Sequence, residues 1–370
     1  MMTTTLRVAL IARGLTKGGV QKYITNVVDQ WNKEPTRDAQ VIVFTDNEGK
    51  FAEFQNIKVV SVKASTKLLW DYWSIIPFIR RERVDAIIYP KNIIPITHWF
   101  LNAKKINVIN DLGYFIKDLD AYRFWDSLYM KAFTKISCFL ADKIVAISEH
   151  TKQDIVDLLL VDREKIKVVH LGVDGVFRRI SDGHRLNETL SKYQIARPFL
   201  FYPGTITPRK NLRRLLQAFQ SIKDQIPHDL VVTGTEAWGS NEVDQFVKTH
   251  HSQRVKQIGF VNEAELVDLY NLADACLYPS LYEGFGLPII EAQACGCPVL
   301  TSNTSSCPEV AGGAAIMVNP YVEREIADGI LSISKDRNLR DRLIDAGFQN
   351  AKRFRWGKTA GDLLNTCTEL

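Results

Sequence analysis

Residues 279–294 read Pro-Ser-Leu-Tyr-Glu-Gly-Phe-Gly-Leu-Pro-Ile-Ile-Glu-Ala-Gln-Ala, two carboxylates set around a glycine turn that follows an apolar run. Pro288 suits the first position of a helix, so the turn opens one. Gly284 and Gly286 let backbone amides approach a ligand. The helix N-terminus adds roughly half a positive charge, which favours phosphate or sugar oxygens. Glu283 lies in the loop, and Glu291 follows about two turns later. Each carboxylate can accept several hydrogen bonds from sugar or ribose hydroxyls. A second strand–turn–helix segment, Phe201-Tyr-Pro-Gly-Thr-Ile-Thr-Pro-Arg-Lys-Asn-Leu212, sets Arg209 and Lys210 before a helix, placed to neutralise a diphosphate. The bland reading of the first segment is a glycine turn with two surface glutamates; that of the second is a solvated helix start.

The elements that must position these residues alternate along the chain. Apolar, β-rich runs occur at Leu6–Ala12, Gln40–Thr45, Lys58–Val62, Ala86–Tyr89, Ile106–Ile109, Ile144–Ile147 and Lys167–Val169. A second series follows at Phe199–Tyr202, Leu230–Thr233, Val255–Ile258, Ala275–Tyr278, Pro298–Thr301 and Ala314–Val318. Between them lie amphipathic helices, such as those carrying Val20, Tyr23, Ile24, Val27, Val28 and Trp31, or Leu212, Leu215, Leu216, Phe219 and Ile222. Asn262 and Glu265 have capping-box spacing. Strand–helix alternation predicts parallel sheets covered on both faces. The pattern breaks between about Asp174 and Pro198, and only helices follow Val318. We therefore expect an α/β chain of two doubly wound domains, 1–175 and 176–354, with a last helix at about 355–370 packing back on the first. In such sheets ligands bind beyond the carboxyl ends of the strands. Two sheets facing each other would enclose a cleft for two substrates.

In this order the two segments strongly resemble retaining glycosyltransferase family 4, whose fold is the two-Rossmann GT-B architecture. The resemblance extends to Asn271-Leu-Ala-Asp-Ala-Cys-Leu-Tyr-Pro-Ser, Gly296-Cys-Pro-Val-Leu and Pro308-Glu309-Val-Ala-Gly-Gly in the second half. In the first half it includes Lys17-Gly18-Gly19-Val20, Ile144-Val-Ala-Ile-Ser148 and His170-Leu-Gly172-Val-Asp174. It implies that Glu283 contacts the transferred sugar, Glu291 the ribose, and Arg209 and Lys210 the diphosphate. It also implies that amides of Phe285, Gly286 and Leu287 bind sugar and phosphate oxygens, and that Gly19 lets its loop close over the phosphates or the acceptor. The base would sit near Thr235 and between Gly259 and Val261, beside Phe260; Gly204 and Thr205 would line the phosphates. The implied reaction retains anomeric configuration and needs neither cofactor nor metal, with a nucleotide diphosphate sugar as co-substrate. Within the family, GDP-mannose or dTDP-rhamnose is favoured over UDP-glucose, with a glycan acceptor, lipid-linked, in cell-surface polysaccharide synthesis. One departure stands out: where the family has His-Asp, this chain has Asn110-Asp111. Asn110 can hydrogen-bond a hydroxyl but does not titrate. It keeps open an alternative, a GT-B-fold protein that binds nucleotide sugar or glycan without turnover.

Bulk properties narrow the field further. With 370 residues, 46% of them hydrophobic and 24% charged, the chain can form two globular domains. A net charge of +5 is too small to single out a partner, and none is expected among nucleic acids. The six cysteines lack disulfide or CxxC spacing and read as reduced core residues. With no signal peptide or spanning segment in view, the expected location is the cytoplasm. The run Lys67-Leu-Leu-Trp-Asp-Tyr-Trp-Ser-Ile-Ile-Pro-Phe-Ile-Arg-Arg81 mixes interfacial aromatics with cations and suggests contact with an anionic membrane face, or else a core helix with a basic end. Asp118-Leu-Asp120, the His250-His251 pair and the Walker-like spacing from Gly14 to Gly19, which has Val20 where a lysine belongs, are discounted. No GxGxxG follows the first strand, which disfavours a dehydrogenase.

Overall fold

The computed structural model describes residues 5–15, 18–36, 38–116, 119, 124–234, 246, 249 and 253–369. Thr235, Lys17, Asp118, Asp120 and the His250-His251 pair lie outside these residues. The described residues fall into two compact units. Those up to Ile116, from Phe124 to Gly172 and from Arg355 onward form the first; Leu119 and Val173–Phe354 form the second.

The first unit holds strands β1 (Leu6–Ile11), β2 (Ala39–Thr45), β3 (Lys58–Ser61), β4 (Ala86–Tyr89), β5 (Lys104–Ile109), β6 (Lys143–Ala146) and β7 (Ile166–Val168). They pair in the order β3-β2-β1-β4-β5-β6-β7, every pair parallel. Its helices are α1 (Gly19–Lys33), α2 (Lys67–Leu69), α3 (Ile76–Arg81), α4 (Phe124–Leu140) and α5 (Glu149–Leu159). The second unit begins with α6 (Gly183–Tyr193) and continues as β8 (Phe199–Tyr202), α7 (Leu212–Ile222), β9 (Asp229–Thr233), β10 (Val255–Gly259), α8 (Glu263–Leu272) and β11 (Ala275–Tyr278). It ends with α9 (Leu287–Ala294), β12 (Val299–Ser302), α10 (Cys307–Ala311), β13 (Ile316–Val318), α11 (Glu323–Lys335) and α12 (Arg337–Ala351). Its sheet order, β10-β9-β8-β11-β12-β13, is also parallel throughout.

Every expected strand is present, with ends displaced by no more than two residues. The reason is burial: continuous runs such as Ala275–Tyr278 and Phe199–Tyr202 are covered on both faces. Helix α7 inserts Leu212, Leu215, Leu216, Phe219 and Ile222 into one core with Leu230, Val232 and Leu277. The capping box at Asn262 and Glu265 forms as expected. All six cysteines are free and buried. The stretch 67–81 departs from expectation. It is not one helix but α2, a π turn at Trp70–Ser74 and α3, because Trp70, Ile75 and Ile79 turn inward while Leu68, Leu69 and Trp73 stay outside.

Each strand order reverses once, between β1 and β4 in the first sheet and between β8 and β11 in the second. The loops leaving two neighbouring strands diverge there, and a crevice opens at their carboxyl ends.

The final helix, α13 (Trp356–Thr368), is part of the first unit. Trp31 of α1 donates from Nε1 to the Ala360 carbonyl at 3.0 Å, and Thr359 Oγ1 donates to the His170 carbonyl at 2.8 Å. A Cβ on Gly172 would lie 2.3 Å from the Trp356 nitrogen, so the chain passes there in direct backbone contact. Replacing the buried Trp31 by alanine should cost about 3–5 kcal/mol and speed hydrogen exchange in α13. Unchanged melting and unchanged α13 protection in Trp31→Ala would show that this clasp holds nothing.

Candidate active site

The loops after β8 and β11 are neighbours because their strands pair, Ala275 opposite Leu200 and Cys276 opposite Phe201. Backbone and side-chain bonds stitch them together. Leu281 N donates to Arg209 O at 2.7 Å, and Asn211 Nδ2 donates to Pro279 O at 3.0 Å and Pro320 O at 2.7 Å. Asn211 is buried in the left-handed region at φ 62°, a conformation asparagine tolerates, and it turns the Arg209-Lys210 pair away from α7.

Glu283 is buried, at 6% exposure. It is no surface glutamate. Arg209 Nη1 donates to its Oε2 at 3.1 Å, and Tyr278 OH and Ser280 Oγ donate to its Oε1 at 2.7 and 3.1 Å. Burial alone would raise its pKa; Arg209, Lys210 and the two hydroxyls outweigh that and hold it below the ordinary value. Lys210 Nζ lies 3.1 Å from Tyr278 OH and 4.9 Å from the centre of that ring. Burial pulls its ammonium pKa down, and the Glu283 charge opposes the shift. Tyr278 is pushed well above its usual range by burial and by Glu283, so it stays a hydroxyl donor.

Gly286 caps α9 at φ 100°, where a side chain would be strained. Leu287 is the first helical residue and Pro288 the second, not the first as the spacing suggested, because the glycine occupies the cap. The first-turn amides of a helix lack intrahelical partners. Phe285 faces the core edge-on to Phe354 at 5.6 Å, and its carbonyl accepts from Ser306 Oγ. Glu291, one face further along α9, is also buried and accepts from Tyr270 OH at 3.3 Å. At the end of β9, a Cβ on Gly234 (φ 103°) would fall 2.1 Å from Gly204 O, and one on Gly204 (φ 98°) 3.0 Å from Lys210 Nζ. Thr205 and Phe260 are exposed and Val261 half-buried at the same edge of the sheet.

Sequence reading missed Ser305 and Ser306. Glu283 N donates to Ser305 Oγ at 2.8 Å; Ser306 Oγ reaches the Glu283 and Phe285 carbonyls at 2.9 and 2.8 Å. Nothing in the run Asn303-Thr-Ser-Ser-Cys307 marks these hydroxyls as the lock on a loop twenty residues earlier.

The first unit has its own site at the β1–β4 reversal. A cavity of about 270 Å³ is lined by Arg13, Asp71, Tyr72, Tyr89, Lys91 and Tyr129, among others. Arg13 pairs with Asp71 through two bonds of 2.6 and 2.5 Å, and Lys91 Nζ caps the Gly14 carbonyl at 3.0 Å. Beside it, Asn110 Nδ2 donates to Pro90 O at 2.8 Å and to Asn92 Oδ1 at 3.2 Å. Both amide protons are thus engaged within the chain. That leaves Oδ1 as the Asn110 atom able to take a hydrogen bond from a hydroxyl. Gly19 opens α1 with open space around it, and the unusual backbone belongs to its neighbour Gly18, at φ 135°.

A buried acid bonded to Arg209, with Lys210 held on the neighbouring Tyr278 hydroxyl, sits at a strand-order reversal beside a glycine-capped helix in an α/β protein of the doubly wound class. Residues 17–175 match the model for Glycosyltransferase Family 4, and residues 190–350 match that for Glycosyl transferases group 1. The two matches take in most of the chain, which belongs to glycosyltransferase family 4 and has the GT-B fold. It is 32% identical over 241 residues to the O-antigen chain mannosyltransferase B of Escherichia coli, covering 64% of this chain and 63% of that protein. It is 26% identical over 236 residues to the serotype-specific mannosyltransferase WbdA of Escherichia coli, covering 62% of this chain and 29% of that one. The chain thus spans less than two-thirds of the length of these relatives. The Anabaena protein HepE, solved in complex with UDP and glucose, has the same fold, with a TM-score of 0.77 at 17% identity, covering 99% of this chain and all of HepE.

Because the Glu283 pKa is lowered, its carboxylate stabilises the fold fully above the ordinary value of 4.5 and loses that contribution as pH falls through the depressed value. Glu283→Gln should therefore unfold more easily than wild type at neutral pH, by about 2 kcal/mol, with the gap closing in acid. Denaturation curves across pH check this; a gap independent of pH would mean the charge does not stabilise the loop.

Proposed function

We propose that the chain transfers a hexose, mannose from GDP-mannose foremost and rhamnose from dTDP-rhamnose next, to a lipid-linked glycan with retention of configuration. It would do so at the cytoplasmic face of the membrane during cell-surface polysaccharide synthesis. The carrying observation is the buried Glu283 carboxylate, bonded to Arg209 and within the field of Lys210, at the mouth of α9. Two relatives bearing mannosyltransferase names support the choice of sugar.

In this reading the diphosphate lies against Arg209, Lys210 and the first amides of α9. Lys210, with its ammonium desolvated, gains the most from an incoming anion. As the bond from C1 of the sugar to the diphosphate oxygen breaks, both cations stabilise the charge on the leaving group. The acceptor oxygen bonds C1 on the same face and passes its proton to the leaving phosphate oxygen. Glu283 orients the sugar hydroxyls, Glu291 holds the ribose, and Asn110 Oδ1 accepts from a sugar hydroxyl. Protein cations take the place a divalent metal fills in other transferases.

Transfer should survive excess EDTA. Lys210→Ala should lose roughly 100- to 1,000-fold in rate, the cost of removing one preorganised electrostatic group. Glu283→Gln should impair transfer more than nucleotide binding, and Glu291→Gln both. Calorimetric titration with GDP, dTDP, UDP and ADP identifies the nucleotide, and NMR of the product shows the anomer. Loss of activity in EDTA with rescue by magnesium, or a Lys210→Ala variant of wild-type rate, would overturn this mechanism.

A further inference from the structure

Helix α4 presents a second apolar face to solvent besides the one it packs inward. Trp125, Leu128, Tyr129, Ile136 and Phe139 recur at helical spacing and stand in solvent, Trp125 at 74% and Phe139 at 73% exposure. Its inward face is mixed: Thr134 and Ser137 are buried beside Cys138, which joins the apolar core with Leu140 packed against it. Ser137 Oγ holds that face down, accepting from Ile94 N at 2.8 Å and donating to Phe133 O at 2.6 Å.

Two other segments extend the apolar face. The short helix Ile96–Phe100 exposes Ile96, Trp99 and Phe100, and the π turn with α2 exposes Leu68, Leu69 and Trp73. They are joined side by side. Trp99 stacks on Phe139 at 6.1 Å, Thr97 Oγ1 donates to Tyr72 O at 2.6 Å, and Tyr72 and Tyr129 share a hydrogen bond. An exposed surface of this many contiguous apolar side chains is far from the scattered pattern of ordinary protein surfaces. It also adjoins the first unit's cavity, since Tyr72 and Tyr129 line that cavity, as does Pro95, the residue before the 96–100 helix.

We infer that this face, formed by α4, the 96–100 helix and the 67–74 turn, docks on an anionic lipid surface and sets the cavity at the membrane to receive an amphiphilic acceptor. The charges around it argue for lipid over protein. The described residues of these segments carry Lys67, Lys131 and Lys135 against Asp71 and Asp126, and Asp71 is already paired with Arg13. Lysine is depleted in protein interfaces, whereas lysine beside tryptophan, phenylalanine and leucine is the composition of a surface that lies in a headgroup layer. No helix among the described residues is long and apolar enough to cross a membrane, so the attachment is from one side.

The inference rests on the proposed lipid-linked acceptor, and the experiment separates the two. Flotation is measured with vesicles of equal parts phosphatidylglycerol and phosphatidylcholine, and with phosphatidylcholine alone, at low and high salt. Wild type should float with the anionic vesicles, less at high salt. Trp125→Ser/Phe139→Ser, two exposed positions outside the cavity lining, should lose at least about tenfold in partitioning with the fold intact by circular dichroism. Lys67→Glu/Lys135→Glu should lose the salt-sensitive part. With a short water-soluble glycan as acceptor, the aromatic double variant should keep the wild-type rate. Wild type that does not float, or a double variant that floats equally well, overturns the docking face. So does a wild-type dimer in sedimentation that the double variant breaks, which would assign the face to a second copy. Wild type that floats yet transfers no sugar would sink the proposed activity and leave the docking face standing.

Discussion

The second unit is organised around one buried carboxylate that needs its cations. Glu283 would be costly to hold as an anion in a site this dry, and Arg209, Tyr278 and Ser280 make the charge tolerable through direct bonds. Lys210 adds its field through the Tyr278 hydroxyl. The arrangement requires the loops after β8 and β11 to be adjacent, hence a strand order that reverses between them. It also requires both loops to be rigid, which explains the hydrogen bonds spent by Asn211, Ser305 and Ser306 on carbonyl and amide groups of the partner loop. Beyond the Arg209–Glu283 bond, the cluster keeps the desolvated Lys210 ammonium, on which the charges of Glu283 and, more weakly, Glu291 act.

Close backbone approach is the second constraint. Gly204 and Gly234 bring the ends of β8 and β9 so near that a methyl group on Gly234 would overlap the Gly204 carbonyl. Gly286 then frees the first turn of α9. Three glycines with positive φ thus shape one edge of the sheet, and each does so for a different steric reason.

The first unit is organised otherwise. Its switch-point cavity is lined with tyrosines, an internally paired Arg13–Asp71 and Lys91, whose ammonium is bonded to the Gly14 carbonyl, so it offers hydrogen bonds and ring faces with a single cation beyond that pair. Such a lining suits a polyhydroxylated ligand better than a phosphate. Asn92, buried at φ 63°, binds the loop after β4 to that after β5 through Asn110 and Asp111. Asparagine at position 110 is therefore part of the scaffold of this loop, a use for which an imidazole has the wrong donor pattern.

The sequence by itself determined the strands, the amphipathic helices and the order of the two functional loops. Those signals are local: a run such as Ala275–Tyr278 can be satisfied only by burial on both faces, and Gly-Leu-Pro can hardly do other than start a helix. Only the tertiary structure decided what the side chains face. It turned Glu283 and Glu291 from plausible surface residues into buried acids, because their partners Arg209 and Tyr270 lie far away in the chain. It spent the Asn110 amide on Pro90 and Asn92. It also left an apolar stripe of α4 facing outward: Ser137, bonded to Ile94 N, and Cys138, packed in the core, fix which side of the helix meets the sheet, a contact that periodicity does not report.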